Sequence, residues 1–263
     1  MFDSAKFGDD SFRIVFSSDW HAGHRRGLNT PEWQDSIKTP EGRIQRTLYK
    51  KAETIRERHK KPDVLALVGD LLDGKGPKTG GTEQTTTDRL EQSKMVIDEI
   101  NRWEAKKIYI VPGTPYHVGK EEDWEAVIAE KVGATFADQL FLDHEGIIFH
   151  MKHEVPRGGF THTAFTPLGR EYMDLMEWAY TEDWPDANII IRAHTHRFGY
   201  CGGPGWLAMS LPGMCAFGSK FGSRRCRGMV HFGAVEFRLK NGEYAWEEDI
   251  EKIRVITPPT FKI

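Results

Sequence analysis

The sequence predicts an α/β layered fold, and three observations carry that expectation. Short apolar runs rich in Val, Ile and Phe recur as far as Arg192, with the unbroken hydrophobicity of strands covered on both faces. Segments of helical period separate these runs, which is the alternation of a layered α/β chain. The C-terminal third then reads as strands joined by turns such as Lys240-Asn241-Gly242, which is hairpin chemistry.

In chain order, core strands are expected at Phe12–Ser17, Val64–Val68, Lys107–Val111, 146–150 and 188–192. A helix is expected across PEGRIQRTLYKKAETIRERHKK. There Ile44, Leu48, Ala52 and Ile55 recur at helical spacing, with Pro40 near the start and Pro62 just past the end. The segment TTTDRLEQSKMVIDEINRWEAKK places Leu90, Met95, Ile97, Ile100 and Trp103 on one broad face. Two further helices are expected over 121–132 and 167–180, and closing strands over 206–211, 229–239 and 244–255. No internal repeat is visible. The polar loop 74–87 reads as a lid or a disordered segment. The 263 residues suffice for a substantial core and read as a single domain over 1–263.

Composition narrows the function classes. A formal net charge of −3 excludes a globally basic surface that binds nucleic acid through bulk charge, although local patches remain possible. No stretch approaches the ~18–20 consecutive apolar residues of a membrane span. The opening MFDSAKFGDDSF holds acids and no apolar core, so no signal peptide is expected there. Cys201, Cys215 and Cys226 are odd in number and form no C-x-x-C pair. They argue against a disulfide scaffold and fit a cytoplasmic setting.

The main signal lies in the residues just past each expected core strand. The five strand ends carry Ser18-Asp19-Trp20-His21, Gly69-Asp70-Leu71-Leu72-Asp73-Gly74, the segment from Pro112 to His117, Met151-Lys152-His153, and Ala193-His194-Thr195-His196. Each presents a carboxylate or an imidazole at the carboxyl end of a strand, the edge where open α/β sheets bind ligands. Asp19 and His21, like His194 and His196, stand at i, i+2, and in extended backbone such residues face one side. Carboxylate oxygen with imidazole nitrogen suits Zn²⁺, Mn²⁺ or Fe. Asp19, His21, Asp70, His117, His153, His194 and His196 are too many for one ion. Two ions about 3.5–4 Å apart would use them, with Asp70 as the natural bridge.

In that order the motifs D-x-H, G-D-x-x-D, a Gly-to-His element, a lone His and H-x-H resemble the calcineurin-like metallophosphoesterases, a superfamily of phosphatases, phosphodiesterases and nucleases. The resemblance covers roughly residues 12–200. It implies a four-layer α/β/β/α sandwich with mixed sheets and a dinuclear site at the sheet edge. It further implies that Asp19, His21 and His196 hold one metal, that Asp70 bridges, and that His153 and His194 hold the second. The cofactors implied are two divalent ions, manganese first, with zinc, iron or magnesium as alternatives. The third element departs from the family's G-N-H-[DE], reading Gly113-Thr114-Pro115-Tyr116-His117 with Thr114 in the Asn place. His117 is then either the proton donor to the leaving group or itself a ligand of the second metal. The G-T-x-x-H variant resembles uncharacterised phage and prophage members.

Other residues have quieter readings. Asp73 is read as a turn or supporting residue, and His150 as packed inside its strand. His24 and His59 are read as surface residues, with His24 an outside candidate for substrate contact. His162 and His231 have no clear context. Arg25 is the candidate for holding substrate phosphate in the catalytic set, with Arg26 beside it. The basic cluster 220–227 (KFGSRRCR) is a solvated turn or a phosphate-contacting loop. The expected function is metal-dependent phosphoester hydrolysis, by a phosphodiesterase or nuclease acting on DNA or a nucleotide. The alternatives are a phosphomonoesterase and a metal-binding interaction scaffold with degraded catalysis. No membrane partner is expected.

Overall fold

The computed structural model describes residues 7–119, 122–155, 163, 165–219, 229–253 and 261. The first sheet is built from β1 (Phe12–Ser17), β2 (Val64–Val68), β3 (Lys107–Val111), β4 (Thr135–Phe136), β10 (Phe232–Lys240) and β11 (Glu243–Glu251), in the order β11-β10-β1-β2-β3-β4. Strands β1 to β4 run parallel, while β10 is antiparallel to both β1 and β11. The second sheet is β5 (Leu140–His144), β6 (Ile147–Met151), β7 (Ile189–Arg192), β8 (Gly199–Gly203) and β9 (Trp206–Ser210), in the order β5-β6-β7-β9-β8. Its central β6, β7 and β9 are parallel and both edges are antiparallel. Both sheets are therefore mixed.

The sheets face each other across one apolar core. Ile14, Phe16, Val68, Val235 and Phe237 of the first sheet pack with Phe149, Met151, Ile189, Ile191 and Met209 of the second. Phe16, Phe149 and Phe237 meet at its centre, with ring centroids 5.1–5.6 Å apart. Truncating one of them to alanine would cost about 3–5 kcal/mol. On the outer face of the first sheet lie α1 (Pro40–His59), α2 (Arg89–Arg102) and α4 (Trp124–Val132), which bury Leu48, Ile55, Met95, Ile100 and Ile128 against Val15, Leu65, Leu67 and Ile110. On the outer face of the second, α5 (Thr166–Glu182) buries Leu168 and Leu175 against Ile190 and Ala208. The result is the α/β/β/α sandwich that the motifs imply.

Local chemistry sets the helix ends. Thr39 caps α1 by accepting from the Gly42 amide, and Pro40 supplies the fixed φ of a first helical position. Asp88 caps α2 through Leu90, and Asp123 caps α4 through Glu125 and Ala126, while Gly133 ends α4 in the left-handed region. A short α3 (Pro115–Val118) comes directly after β3. The strands that pattern reading omits are β4, β5 and β8. The first is two residues long, β5 (LFLDH) mixes charge into its run, and β8 (GYCGG) reads as loop because of its glycines. The loop 74–87 is built of hydrogen-bonded turns: Thr85 donates to the Gly23 carbonyl and Gln84 is buried, while Lys75, Lys78 and Thr82 are exposed. Among the described residues no helix is long and apolar enough to cross a membrane. The basic cluster 220–227 and His162 lie outside the described residues.

Candidate metal centre

The carboxyl ends of β1, β2, β6 and β7 bring the expected ligands into two facing groups. Asp19, His21 and His196 form one, and Asp70, His153 and His194 form the other, the ligand atoms of each group lying within 4.8 Å of one another. In the first, the Nε2 atoms of His21 and His196 are 3.1 Å apart, and His196 Nε2 is 3.3 Å from Asp19 Oδ1. In the second, His153 Nε2 lies 3.1 Å from Asp70 Oδ2. All of these side chains are buried or partly buried except His194, which is exposed and marks the open side of the site.

The backbone is unusual at the same positions. Asp19, His21, Asp70, His194 and His196 all have φ between 45° and 68°, in the left-handed region that costs an L-residue energy. This corrects the extended i, i+2 geometry read from the sequence. The two members of each pair converge because the strands give way to tight turns, not because the strands continue. The turns are locked together: the Asp19 amide donates to the Gly69 carbonyl, the His21 amide to the Asp70 carbonyl, and the Met214 amide to both Ser18 and Asp19 carbonyls.

Supporting hydrogen bonds fix which atom of each ligand faces inward. His153 Nδ1 donates to the Val68 carbonyl at 2.7 Å, so in the neutral imidazole that binds a metal its Nε2 carries the lone pair. His21 Nδ1 donates to Asp73 Oδ1 at 3.0 Å, with the same consequence. Asp19 Oδ2 accepts from the Ser18 hydroxyl and the His194 amide. The remaining atoms, Asp19 Oδ1 and His153 Nε2, are buried and make no well-aligned hydrogen bond among the described residues; each has only a member of its own group beside it, His196 Nε2 at 3.3 Å and Asp70 Oδ2 at 3.1 Å. A buried acceptor without a partner is costly. Two such acceptors, one in each group, fit a site made for cations. The mix of carboxylate and imidazole fits Zn²⁺, Mn²⁺ or Fe.

Electrostatics track the same geometry. Burial acts to raise Asp19, but the neighbouring His196 imidazole outweighs it and holds the carboxyl down at about 2. Asp70 is held below the ordinary carboxylate range against its burial by His153 and His117. Burial lowers His21. His153 is also buried, yet Asp70 beside it raises it to about 10.

The third element settles into a definite arrangement. The Thr114 amide donates to Asp70 Oδ1 at 2.7 Å and its hydroxyl lies 3.1 Å from the same oxygen, so Thr114 is engaged with the bridging candidate. His117 Nδ1 donates to the Asp73 carbonyl at 2.8 Å and sits 3.2 Å from Asp73 Oδ1. Its ring stands edge-on to His21, with centroids 4.6 Å apart. It groups with His21 and Asp73, not with Asp70, His153 and His194. Burial would lower His117, but Asp70 and Asp73 raise it to about 9. Asp73 thus supports two histidines at once and also accepts from Gln84 Nε2 at 2.5 Å.

Several sequence readings need correction. His24 is buried: its Nδ1 accepts from the Arg26 amide and its carbonyl from Asn29. His59 is buried between Glu236 and Asp249, with Nδ1 and Nε2 2.8 and 3.0 Å from their carboxylates. Arg26 is buried and ion-paired to Glu41, which removes it as a phosphate contact. Arg25 is partly exposed and its Nε lies 3.8 Å from Asp35, so its nearest charged partner is on the loop before α1 rather than in either ligand group. His150 is packed as read, buried against Gln139. His231 gains a context: its Nδ1 accepts from the Phe198 amide and its own amide donates to the His196 carbonyl, bracing the H-x-H turn. Glu125 and Gln84 are buried site neighbours that sequence reading missed, because both look like ordinary solvated polar residues in sequence.

No family model and no curated protein matches the chain. Solved structures do show similarity. A Vps29 from Entamoeba histolytica complexed with zinc is 13% identical, with a TM-score of 0.45 over 91% of this chain and 99% of that one. An archaeal phosphodiesterase is 14% identical, with a TM-score of 0.46 over 90% and 99%. A predicted phosphoesterase from Streptococcus pneumoniae is 12% identical, with a TM-score of 0.39 over 92% and 100%.

Proposed function

We propose that the chain is a dinuclear-metal-dependent phosphoester hydrolase, acting as a phosphodiesterase or nuclease on nucleic acid or a nucleotide in the cytoplasm. The observation that carries this reading is a pair of carboxylate–imidazole groups at the strand ends, in which buried Asp19 Oδ1 and His153 Nε2 have only other members of their own group beside them and no well-aligned hydrogen bond. Asp19, His21 and His196 would hold one ion, and His153 and His194 the other, with Asp70 between them. Two divalent ions bound there supply Lewis-acid polarisation of a phosphoryl oxygen and acidify a water toward neutrality.

The chain's own residues supply the rest. Asp73 fixes the ring orientations of His21 and His117 together. Burial would lower His117, but Asp70 and Asp73 raise it to about 9, so below that both ring nitrogens are protonated; with Nδ1 tied to Asp73, its Nε2 proton is the one available to a departing oxygen, the role of a general acid. Its place with His21 and Asp73, apart from Asp70, His153 and His194, supports proton donor over second-metal ligand for His117. Tyr116 stands edge-on to His117 with centroids 4.8 Å apart, and Lys78 Nζ lies 4.6 Å from the centre of the Tyr116 ring. An aromatic ring and a cation beside the leaving-group position suit a nucleoside-bearing leaving group, which favours diesters of nucleotides over simple monoesters. Manganese is the first choice of metal and Arg25 a candidate substrate contact once loaded.

The test is turnover of bis-p-nitrophenyl phosphate, p-nitrophenyl phosphate and single-stranded DNA by chelator-treated and manganese-loaded protein. Metal-dependent cleavage of the diester or of DNA is expected. Two ions bound with no turnover of any substrate would replace this reading with the interaction scaffold.

A further inference from the structure

Glu125 is fully buried in the first turn of α4, yet it makes no ion pair among the described residues. Its Oε1 accepts from the Leu71 amide at 2.6 Å and its Oε2 from the Gly113 amide at 2.7 Å. Those two amides belong to different loops. Leu71 comes after Asp70 at the end of β2, and Gly113 precedes Thr114 at the end of β3. A single carboxylate therefore clips two neighbouring strand ends together from behind.

The clip leaves no slack. A Cβ on Gly113 would come within 2.2 Å of both Asp70 N and Asp70 Oδ1, and one on Gly69 within 2.7 Å of Gly113 Cα. In that closed packing the Thr114 amide and hydroxyl reach Asp70 Oδ1. Asp70 Oδ2 is left beside His153 Nε2. Burying a carboxyl group in this position is expensive, and the Leu71 and Gly113 amides offset that cost; an apolar side chain would leave both of them without an acceptor. Such a group persists where it fixes geometry that packing alone does not.

We infer that Glu125 is a positioning residue of the metal centre: by holding the Leu71 and Gly113 amides it sets the orientation in which Asp70 faces the second ion. The inference rests on the reading of Asp70, His153 and His194 as metal ligands. A Glu125→Gln substitution keeps the volume but turns one acceptor into an amide NH₂ facing a backbone N–H, so one arm of the clip opens. Outer-shell partners of this kind are worth about 10–100-fold in metal affinity.

The experiment is calorimetric titration of chelator-treated protein with Mn²⁺ alone, alongside thermal unfolding of the metal-free protein. Wild type is expected to bind two equivalents. E125Q is expected to bind the second about 10–100-fold more weakly. Ile128→Val, on the same helix but with a side chain that can make no hydrogen bond to either loop, controls for lost stability and is expected to leave both affinities unchanged. Equal affinities in wild type and E125Q overturn the inference, as does an equal loss in I128V. Wild type that binds no Mn²⁺ overturns the metal-centre reading and the inference with it. If E125Q does not accumulate folded, Glu125→Asp, which keeps the charge but shortens the reach, is held to the same criteria.

Discussion

Two regions of this molecule gather histidine with carboxylates, and they do so in opposite ways. At the carboxyl ends of the strands, Asp19, His21, Asp70, His153, His194 and His196 converge, with Asp19 Oδ1 and His153 Nε2 left without a well-aligned hydrogen bond and with five of the six residues in left-handed backbone. Near the start of β1 and the end of α1, His59 meets Glu236 and Asp249 with each ring nitrogen beside a carboxylate. There Glu236 also accepts from Arg13 and pairs with Arg238. The second cluster satisfies itself with cations from the chain. The first has open acceptors instead, and a bound cation would complete them. Proximity of His to Asp or Glu is therefore a poor sign of a metal site. Unsatisfied, correctly tautomerised ligand atoms on strained backbone are a better one.

The sharpest way to break this contrast is Asp70→Asn. Losing the shared carboxylate should reduce metal binding and turnover together, by more than the ~10–100-fold typical of an outer-shell change. Metal titration and steady-state kinetics under limiting metal would check it, and full activity there would sink the scheme. Next is His117→Ala, expected to lower turnover about 10²–10⁴-fold while metal stoichiometry stays at the wild-type value. A lost equivalent of metal would instead make His117 a ligand. Asp73→Asn should have a smaller effect, about 10–100-fold, expressed both in metal affinity through His21 and in turnover through His117.

The smallest effect on the site belongs to the self-satisfied cluster. His59→Ala should cost about 2 kcal/mol of stability from lost charged hydrogen bonds and leave metal binding intact. Burial opposes the charge on His59, but Asp249 and Glu236 raise it from an ordinary 6.5 to about 9. Its contribution is therefore complete below about pH 6.5 and is lost as pH climbs through about 9. Glu236 shows the mirror image. Against its burial, His59 and Arg13 lower it from 4.5 to about 2, so its contribution is present above pH 4.5 and lost as pH falls toward 2. Denaturant unfolding of metal-free protein at about pH 7 and about pH 9.5 should show a drop in wild type that H59A lacks.

Sequence reading reaches the first region far better than the second. Each ligand loop comes directly after a buried apolar strand, so period and spacing expose all six expected ligands and His117 without any long-range information. The His59 cluster joins residues 59, 236 and 249, and nothing in RERHKK distinguishes a clamped imidazolium from a solvated helix end. The burial of Arg26 against Glu41 escapes for the same reason, because its carboxylate partner stands at a helix start whose approach local pattern does not encode. Glu125 looks like the usual acid of a first helical turn, and only the fold carries its carboxylate to Leu71 and Gly113. The motif order makes the sandwich legible, while the short or glycine-rich β4 and β8 acquire strand character only by pairing with a neighbour.

The central claim is that the strand-end cluster, and not the His59 cluster, holds the metal. It is tested most directly by Mn²⁺ titration of chelator-treated wild type, D70N and H59A side by side. The account predicts two equivalents in wild type and H59A and a marked loss in D70N. Binding that survives in D70N and disappears in H59A, or no binding to wild type at all, would contradict it.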